Sequence, residues 1–205
     1  MPEAPDPKAI VARGYDQIVD RYFERFGQST VRARKFQEFV AGLPDRARVL
    51  DLGCGAGAPA ADLTRRGFAV TGVDGSAAQI ERAKRIAPNA RFIHGDITAI
   101  DFDTNSFDAV CAFYSITHVP RDEHPLLFGR IARWLKPGGR FIASFGTEKG
   151  DVIEDWLGVS MFFSHEDPEA TLRLLAGVGL QVERAEVLEQ DNEPVAFLWV
   201  TCGKR

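Results

Sequence analysis

The chain has 205 residues, 45% hydrophobic and 26% charged, enough for one soluble globular domain. A formal net charge of −4 argues against a broad basic surface for nucleic acid or anionic membrane. Three scattered cysteines, Cys54, Cys111 and Cys202, make neither a disulfide framework nor a zinc site, and no apolar run approaches the roughly 18 residues of a membrane span. The acidic, proline-rich start has neither the basic nor the apolar region of a secretory signal, so the cytoplasm is the expected compartment.

Residues 1–7 are expected to fray. From Lys8 to Phe26, Ile10, Tyr15, Ile18, Val19, Tyr22, Phe23 and Phe26 recur at helical spacing. A second helix is predicted from Thr30 to about Ala41, closed by Gly42 and Pro44, and its basic run Arg32, Arg34, Lys35 reads as a solvated face. Short apolar strands then alternate with helices. They run RVLDL, a helix over Pro59–Arg66, FAVTGVD, a helix over Ser76–Ala87, and RFIHGD. FDAVCAFYS, a helix over Asp122–Leu135, and RFIASF follow. Such alternation predicts a parallel sheet covered on both faces.

The long connection from Gly146 to Asp167 predicts a lid. After a helix near Pro168–Ala176, the runs QVERAEVLEQ and VAFLWVTCG flank DNEP and predict a hairpin that closes the sheet with an antiparallel strand. The expected organisation is one domain over 1–205. Helices over 1–44 cover a core over 45–145, followed by the lid at 146–167 and a helix and hairpin over 168–205.

The stretch RVLDLGCGAG carries the chemistry. Ligands of open α/β sheets bind beyond the carboxyl ends of the strands, and glycines let the backbone approach them closely. Gly53, Gly55 and Ala58 satisfy the dinucleotide fingerprint by letter, and Asp74 ends the next strand where a carboxylate accepts ribose hydroxyls. Asp51 discriminates. Beside a pyrophosphate it would meet repulsion of about 4 kcal/mol for unit charges about 4 Å apart in partly screened surroundings. S-adenosylmethionine has no phosphate, and its sulfonium and ammonium are both positive.

Across Arg48 to Phe145 the sequence resembles the class I S-adenosylmethionine-dependent methyltransferases. VLDLGCGAG is similar to their glycine motif, VTGVD to the ribose motif, and HGDI to the adenine segment with Asp96 and Ile97. FDAVCAFYSITHV resembles the wall beside the methyl group, and LKPGGRF the turn before the next strand. The resemblance implies a three-layer Rossmann-like α/β fold with a seven-stranded, mostly parallel sheet and an antiparallel C-terminal strand. It also implies the donor S-adenosylmethionine, released as S-adenosylhomocysteine. The implied donor contacts are Asp51, Gly53, Gly55 and Gly57 for the methionine half, Asp74 for the ribose, Asp96 and Ile97 for adenine, with Gly75, Ser76 and Phe113 also in contact. A tyrosine of the first helix, Tyr15 or Tyr22, is implied at the methionine carboxylate. Neither N-P-P-Y nor Pro-Cys precedes the lid, which sets the chain apart from base-methylating members.

His118, after FYSIT, and His165, in FFSHED, are the expected orienting or deprotonating groups, since a base adds about 10²–10⁴-fold when the acceptor must lose a proton. Tyr114, Trp156, Phe162 and Phe163, with Met161, suggest an aromatic acceptor pocket. His94 is expected inside a strand, His124 at the start of an exposed helix, and Cys54 in packing. Asp101, Asp103 and Asp108 read as solvated loop acids. Asp191 and Asn192 resemble a metal-binding pair but fall in a hairpin turn, and no metal is expected. The expected reaction is methyl transfer to O or N of a small, partly apolar metabolite by a monomer or homodimer. A nicotinamide-dependent oxidoreductase and a non-catalytic S-adenosylmethionine-binding protein are the alternatives, with an RNA or protein acceptor third.

Overall fold

The computed structural model describes residues 6–191 and 193–205. Most of the stretch expected to fray, and Asn192, lie outside the described residues; Asp6 and Pro7 do not fray. Asp6 caps the first helix by accepting from the Lys8 amide at 3.0 Å, and Pro7 begins it.

In chain order the elements are α1 (Pro7–Phe26), α2 (Thr30–Val40), β1 (Arg48–Leu52), α3 (Ala58–Arg65) and β2 (Ala69–Asp74). Next come α4 (Ala77–Ile86), β3 (Arg91–His94), β4 (Phe107–Ala112), α5 (His124–Trp134) and β5 (Leu135–Phe145). The chain ends with β6 (Gly150–Trp156), β7 (Val159–His165), α6 (Pro168–Gly177), β8 (Leu180–Glu189) and β9 (Ala196–Lys204). Seven strands form one sheet in the order β3-β2-β1-β4-β5-β9-β8. All neighbours are parallel except β9, which runs antiparallel to both β5 and β8. Strand order reverses between β1 and β4, which sets a crevice beyond their carboxyl ends.

The strand period of two assigns the faces. Leu50 and Leu52 of β1 join Phe128, Ile131 and Trp134 of α5 on one side. Val49, one residue out of phase, joins Phe36 and Phe39 of α2 and Leu63 of α3 on the other. By the same alternation Asp51 belongs to the α2–α3 side. Truncating a side chain as buried as Leu50 or Leu127 to alanine costs about 2–5 kcal/mol.

The predicted lid is instead a hairpin, β6 and β7, paired from Gly150–His165 to Trp156–Val159 as a separate two-stranded sheet. Ile18 of α1 packs on its Val159 and Met161 to make a third small core. Gly14 allows that approach, because a Cβ there would lie 2.9 Å from Met161 Cε. Two further expectations are corrected. The helix over Asp122–Leu135 begins at His124, and LKPGG belongs to β5. Lys35 is not solvated: it is 2% exposed and pairs with Glu38 at 2.9 Å and with Glu186 of β8.

Candidate functional site

The glycine turn closes β1 against β2, with the Gly53 and Cys54 amides donating to the Val73 carbonyl at 2.8 and 3.0 Å. Gly53, Gly55 and Gly57 have φ of 69, 51 and 82°, which a chiral residue adopts at a cost. Their neighbours differ. A Cβ on Gly53 would lie 2.2 Å from Ser115 Cβ, whereas one on Gly55 would meet nothing within 4 Å, so the Gly55 backbone faces open space. Gly57 does not reach the cleft: it caps α3, and a Cβ there would come within 2.9 Å of Ala83 Cβ on α4. Its contacts are those of helix packing.

Asp51 is 1% exposed, its Oδ1 accepts from the Cys111 thiol at 3.5 Å, and its Oδ2 has no partner. Burial pushes its pKa up to about 7, while the Cys111 hydrogen bond, against the charge of Asp74, pulls it down. Arg32 lines the same small recess, of about 50 Å³, and donates to the Gly27 carbonyl at 2.6 Å. An unpaired buried carboxylate oxygen beside a guanidinium suits a zwitterion. Arg32 was expected on a solvated face; nothing local marks it, since α2 is brought to the glycine turn only by tertiary packing.

Asp74 accepts from the Gly55 amide at 2.8 Å through Oδ2 and from the Ser76 amide at 2.9 Å through Oδ1. The carboxylate expected at a ribose therefore also pins the glycine turn. Burial raises its pKa and the two amides lower it. Ser76 caps α4 and donates to Asp16 of α1 at 2.6 Å.

Two clefts open above this platform. The first, of about 330 Å³, includes Gly53, Gly55, Asp74, Asp96, Ile97 and Phe113 in its lining, with Gly75 and Ser76. Asp96 there binds Lys8 of α1 at 2.8 Å, a partner the sequence did not announce. His94 also lines this cleft: it is exposed, its ring bonded to the Gly75 carbonyl at 3.0 Å, rather than packed inside the strand. The second cleft, of about 510 Å³, is lined by Trp156, Phe163 and His165 of the hairpin, and by Phe26 and Phe197, which sequence reading missed. Tyr15, Tyr22, Tyr114 and His118 line both. Tyr114 holds a φ of 58°, its amide donating to Ser144 Oγ at 2.7 Å; a non-glycine residue kept so costs about 1–3 kcal/mol.

The tautomer of His118 follows from its partners. Nδ1 lies 2.8 Å from the Phe162 carbonyl, which only accepts, so Nδ1 carries the proton. Nε2 is then the acceptor of the Tyr15 hydroxyl at 2.9 Å. Burial lowers the imidazole pKa to about 4, and it raises that of Tyr15 well above the phenol range. The Nε2 lone pair of His118 is thus occupied by the Tyr15 hydroxyl. Phe162 contributes this carbonyl; its ring is buried and does not line the cleft, contrary to the acceptor role expected of it. His165 does line it, its Nδ1 buried without a partner and its pKa lowered by burial.

His124, Asp101 and Asp108 are structural. His124 is 3% exposed, bonded to the Val119 carbonyl at 3.0 Å, and not on an exposed helix face. Asp101 accepts from Trp134 Nε1 at 2.9 Å, and Asp108 from the Arg48 amide at 2.8 Å and from Lys136 at 2.6 Å. Cys54 is buried in packing, as expected. Asp191 does more than turn a hairpin: it accepts from the Thr30 hydroxyl at 2.9 Å and the Val31 amide at 3.2 Å, capping α2.

A sheet of this strand order, with a glycine turn pinned by an acidic strand end at its switch point, defines a Rossmann-like nucleoside-binding fold. Over residues 49–139 the chain matches the family described as a methyltransferase domain, in line with its resemblance to the class I S-adenosylmethionine-dependent methyltransferases. It is 35% identical over 204 residues to a sterol 24-C-methyltransferase of Schizosaccharomyces pombe, covering 89% of this chain and 52% of that protein. The corresponding enzyme of Yarrowia lipolytica is 29% identical over 212 residues, covering 90% of this chain and 53% of its own. The chain thus spans about half the length of these curated relatives.

Two solved structures share the fold. Magnesium protoporphyrin IX methyltransferase of Synechocystis, with S-adenosylmethionine bound, superposes with a TM-score of 0.77 at 18% identity over 100% of both chains. The 1,6-didemethyltoxoflavin-N1-methyltransferase of Burkholderia thailandensis gives 0.76 at 20% identity, covering 98% of this chain and 92% of that one.

Proposed function

We propose that this chain transfers a methyl group from S-adenosylmethionine to nitrogen or oxygen of a small, partly apolar acceptor. One observation carries the reading: two clefts, one floored by the glycine turn and Asp74, the other walled by aromatic rings, meet at Tyr15, Tyr22, Tyr114 and His118. Donor and acceptor held in those clefts would face each other across a shared wall.

The donor supplies a methyl already activated on a sulfonium; the residues position it. The unpartnered Oδ2 of Asp51 suits the methionine ammonium, and Arg32 suits its carboxylate. Asp74 is posed for ribose, and Asp96 and Ile97 for adenine. Alignment of reactants alone supplies up to about 7–11 kcal/mol. The Tyr15 oxygen, donating to His118, keeps lone pairs for an acceptor proton, and the carbonyl of Phe162 fixes the imidazole for that task. A diphosphate coenzyme would bring its charge against Asp51, which disfavours the oxidoreductase alternative. The relatives' names specify carbon 24 of a sterol, and the aromatic cleft makes a carbon acceptor the second reading.

Calorimetry with S-adenosylhomocysteine and with NAD, followed by an acceptor screen reading S-adenosylhomocysteine release, tests this. Binding of the nucleoside alone and its release with a small acceptor are expected; binding of NAD alone overturns the proposal.

A further inference from the structure

The wider cleft, whose acceptor role rests on the function proposed above, has walls that also select for charge. Its aromatic residues form a continuous box. Phe26 stacks on Trp156 with ring centres 5.5 Å apart and planes 17° apart. Tyr15 meets Trp156 edge-on at 6.1 Å, and Phe163 meets it at 5.8 Å and 87°. Ring faces carry negative electrostatic potential, so such a box holds a cation and an apolar body together.

The ionisable side chains point the same way. Glu148, Glu154 and Glu193 line this cleft, and among the described residues no lysine or arginine does. Glu193 accepts from Trp156 Nε1 at 3.0 Å and lies 3.7 Å from Arg25, so it is anchored and partly balanced. Glu148 and Glu154 are exposed. His165, the remaining titratable group of the hairpin wall, has its charged form disfavoured by burial. An anionic acceptor would enter among like charges with no cation to receive it, whereas an ammonium would find carboxylates and ring faces.

We infer that the acceptor is a small amine bearing an aryl or alkyl body, drawn in as its ammonium and methylated on nitrogen. An ammonium has no lone pair, so one proton first passes to the Tyr15 oxygen as the hydroxyl gives its own proton to His118 Nε2, and the imidazolium then releases it to water at the open end of the cleft. The freed pair then forms the N–CH3 bond as the S–CH3 bond breaks with its electrons left on sulfur. The product is again an ammonium, one methyl larger, beside a neutral thioether. The box and its carboxylates therefore face a cation both before and after transfer.

The probe is benzyltrimethylammonium, which cannot be methylated, compared with benzyl alcohol and 3-phenylpropanoate. Each is titrated calorimetrically into protein saturated with S-adenosylhomocysteine. The ammonium is expected to bind about tenfold or more tighter than the alcohol, with the carboxylate weakest. Glu148→Gln and Glu154→Gln are each expected to weaken the ammonium by about threefold at low salt while leaving the alcohol unchanged. Trp156→Leu should remove the preference. Equal or tighter binding of the alcohol or the carboxylate, no binding of any probe, or indifference to both glutamate variants overturns the inference. Failure of S-adenosylhomocysteine itself to bind in the first titration sinks the methyltransferase proposal instead, so the two failures are separable.

Discussion

The Tyr15 hydroxyl and His118 Nε2, 2.9 Å apart, join the N-terminal helix to the loop after β4 at the wall common to both clefts. Replacing Tyr15 by phenylalanine keeps the ring and leaves the buried Nε2 without its donor, at a cost of about 1–3 kcal/mol in stability. Turnover is expected to fall by about 10²-fold, with the donor dissociation constant within about threefold of wild type. Single-turnover kinetics beside a donor titration separates the two. Undiminished turnover removes Tyr15 from the proton path.

The Asp51 carboxyl, with its pKa raised from 3.8 to about 7, makes both stability and donor binding depend on pH. The unfolded chain releases this proton near pH 4 while the folded chain keeps it until about 7. The contribution to stability is thus fully present below pH 4 and declines across that window by about 4 kcal/mol. Donor binding has the opposite sign, because the ammonium prefers the carboxylate. Affinity for S-adenosylhomocysteine is expected to rise from pH 6 to 8, and Asp51→Asn should flatten the rise. Calorimetry in two buffers of different ionisation enthalpy reads the proton released on binding.

Gly57 and Asp74 separate packing from binding. Gly57→Ala forces a side chain onto a positive φ and against Ala83, and is expected to cost about 1–3 kcal/mol while donor affinity per folded molecule is retained. Asp74→Ala frees the Gly55 and Ser76 amides and is expected to weaken the donor about tenfold or more. Denaturant melts paired with donor titrations check both; a Gly57→Ala protein that melts as wild type contradicts the packing assignment.

Gly146 packs against the His165 ring, since a Cβ there would lie 2.2 Å from Nδ1, and both residues line the wider cleft. Gly146→Ala is expected to displace the imidazole from its place in the wall of the wider cleft and raise the acceptor KM about tenfold, with donor affinity unchanged. An unaltered acceptor KM would show that the ring position is not critical.

The parallel sheet, the glycine turn and Asp74 were legible because their signals are local: strand alternation, a fixed motif, an acid at a strand end. The hairpin was not. GDVIEDW of β6 is exposed along nearly its whole length, so it lacks the alternation by which a half-buried strand announces itself. Lys35 escaped for another reason: its partner Glu186 lies 151 residues away, and only the packing of α2 against β8 makes a buried ion pair of what reads as a solvated charge. Arg32 and Lys8 belong with it, each given meaning by a distant carboxylate. The tautomer of His118 depends on a carbonyl 44 residues downstream, which no local pattern announces.

The hairpin of β6 and β7 pairs only with itself and leans on α1, outside the seven-stranded sheet. Trp156, Phe163 and His165 therefore sit on a panel whose removal breaks no strand pairing beneath it. Under the proposed function, substitutions in those seven-residue strands would retune which acceptor is taken while leaving the glycine turn and its acids as they are, so the two halves of the site are separable along one chain.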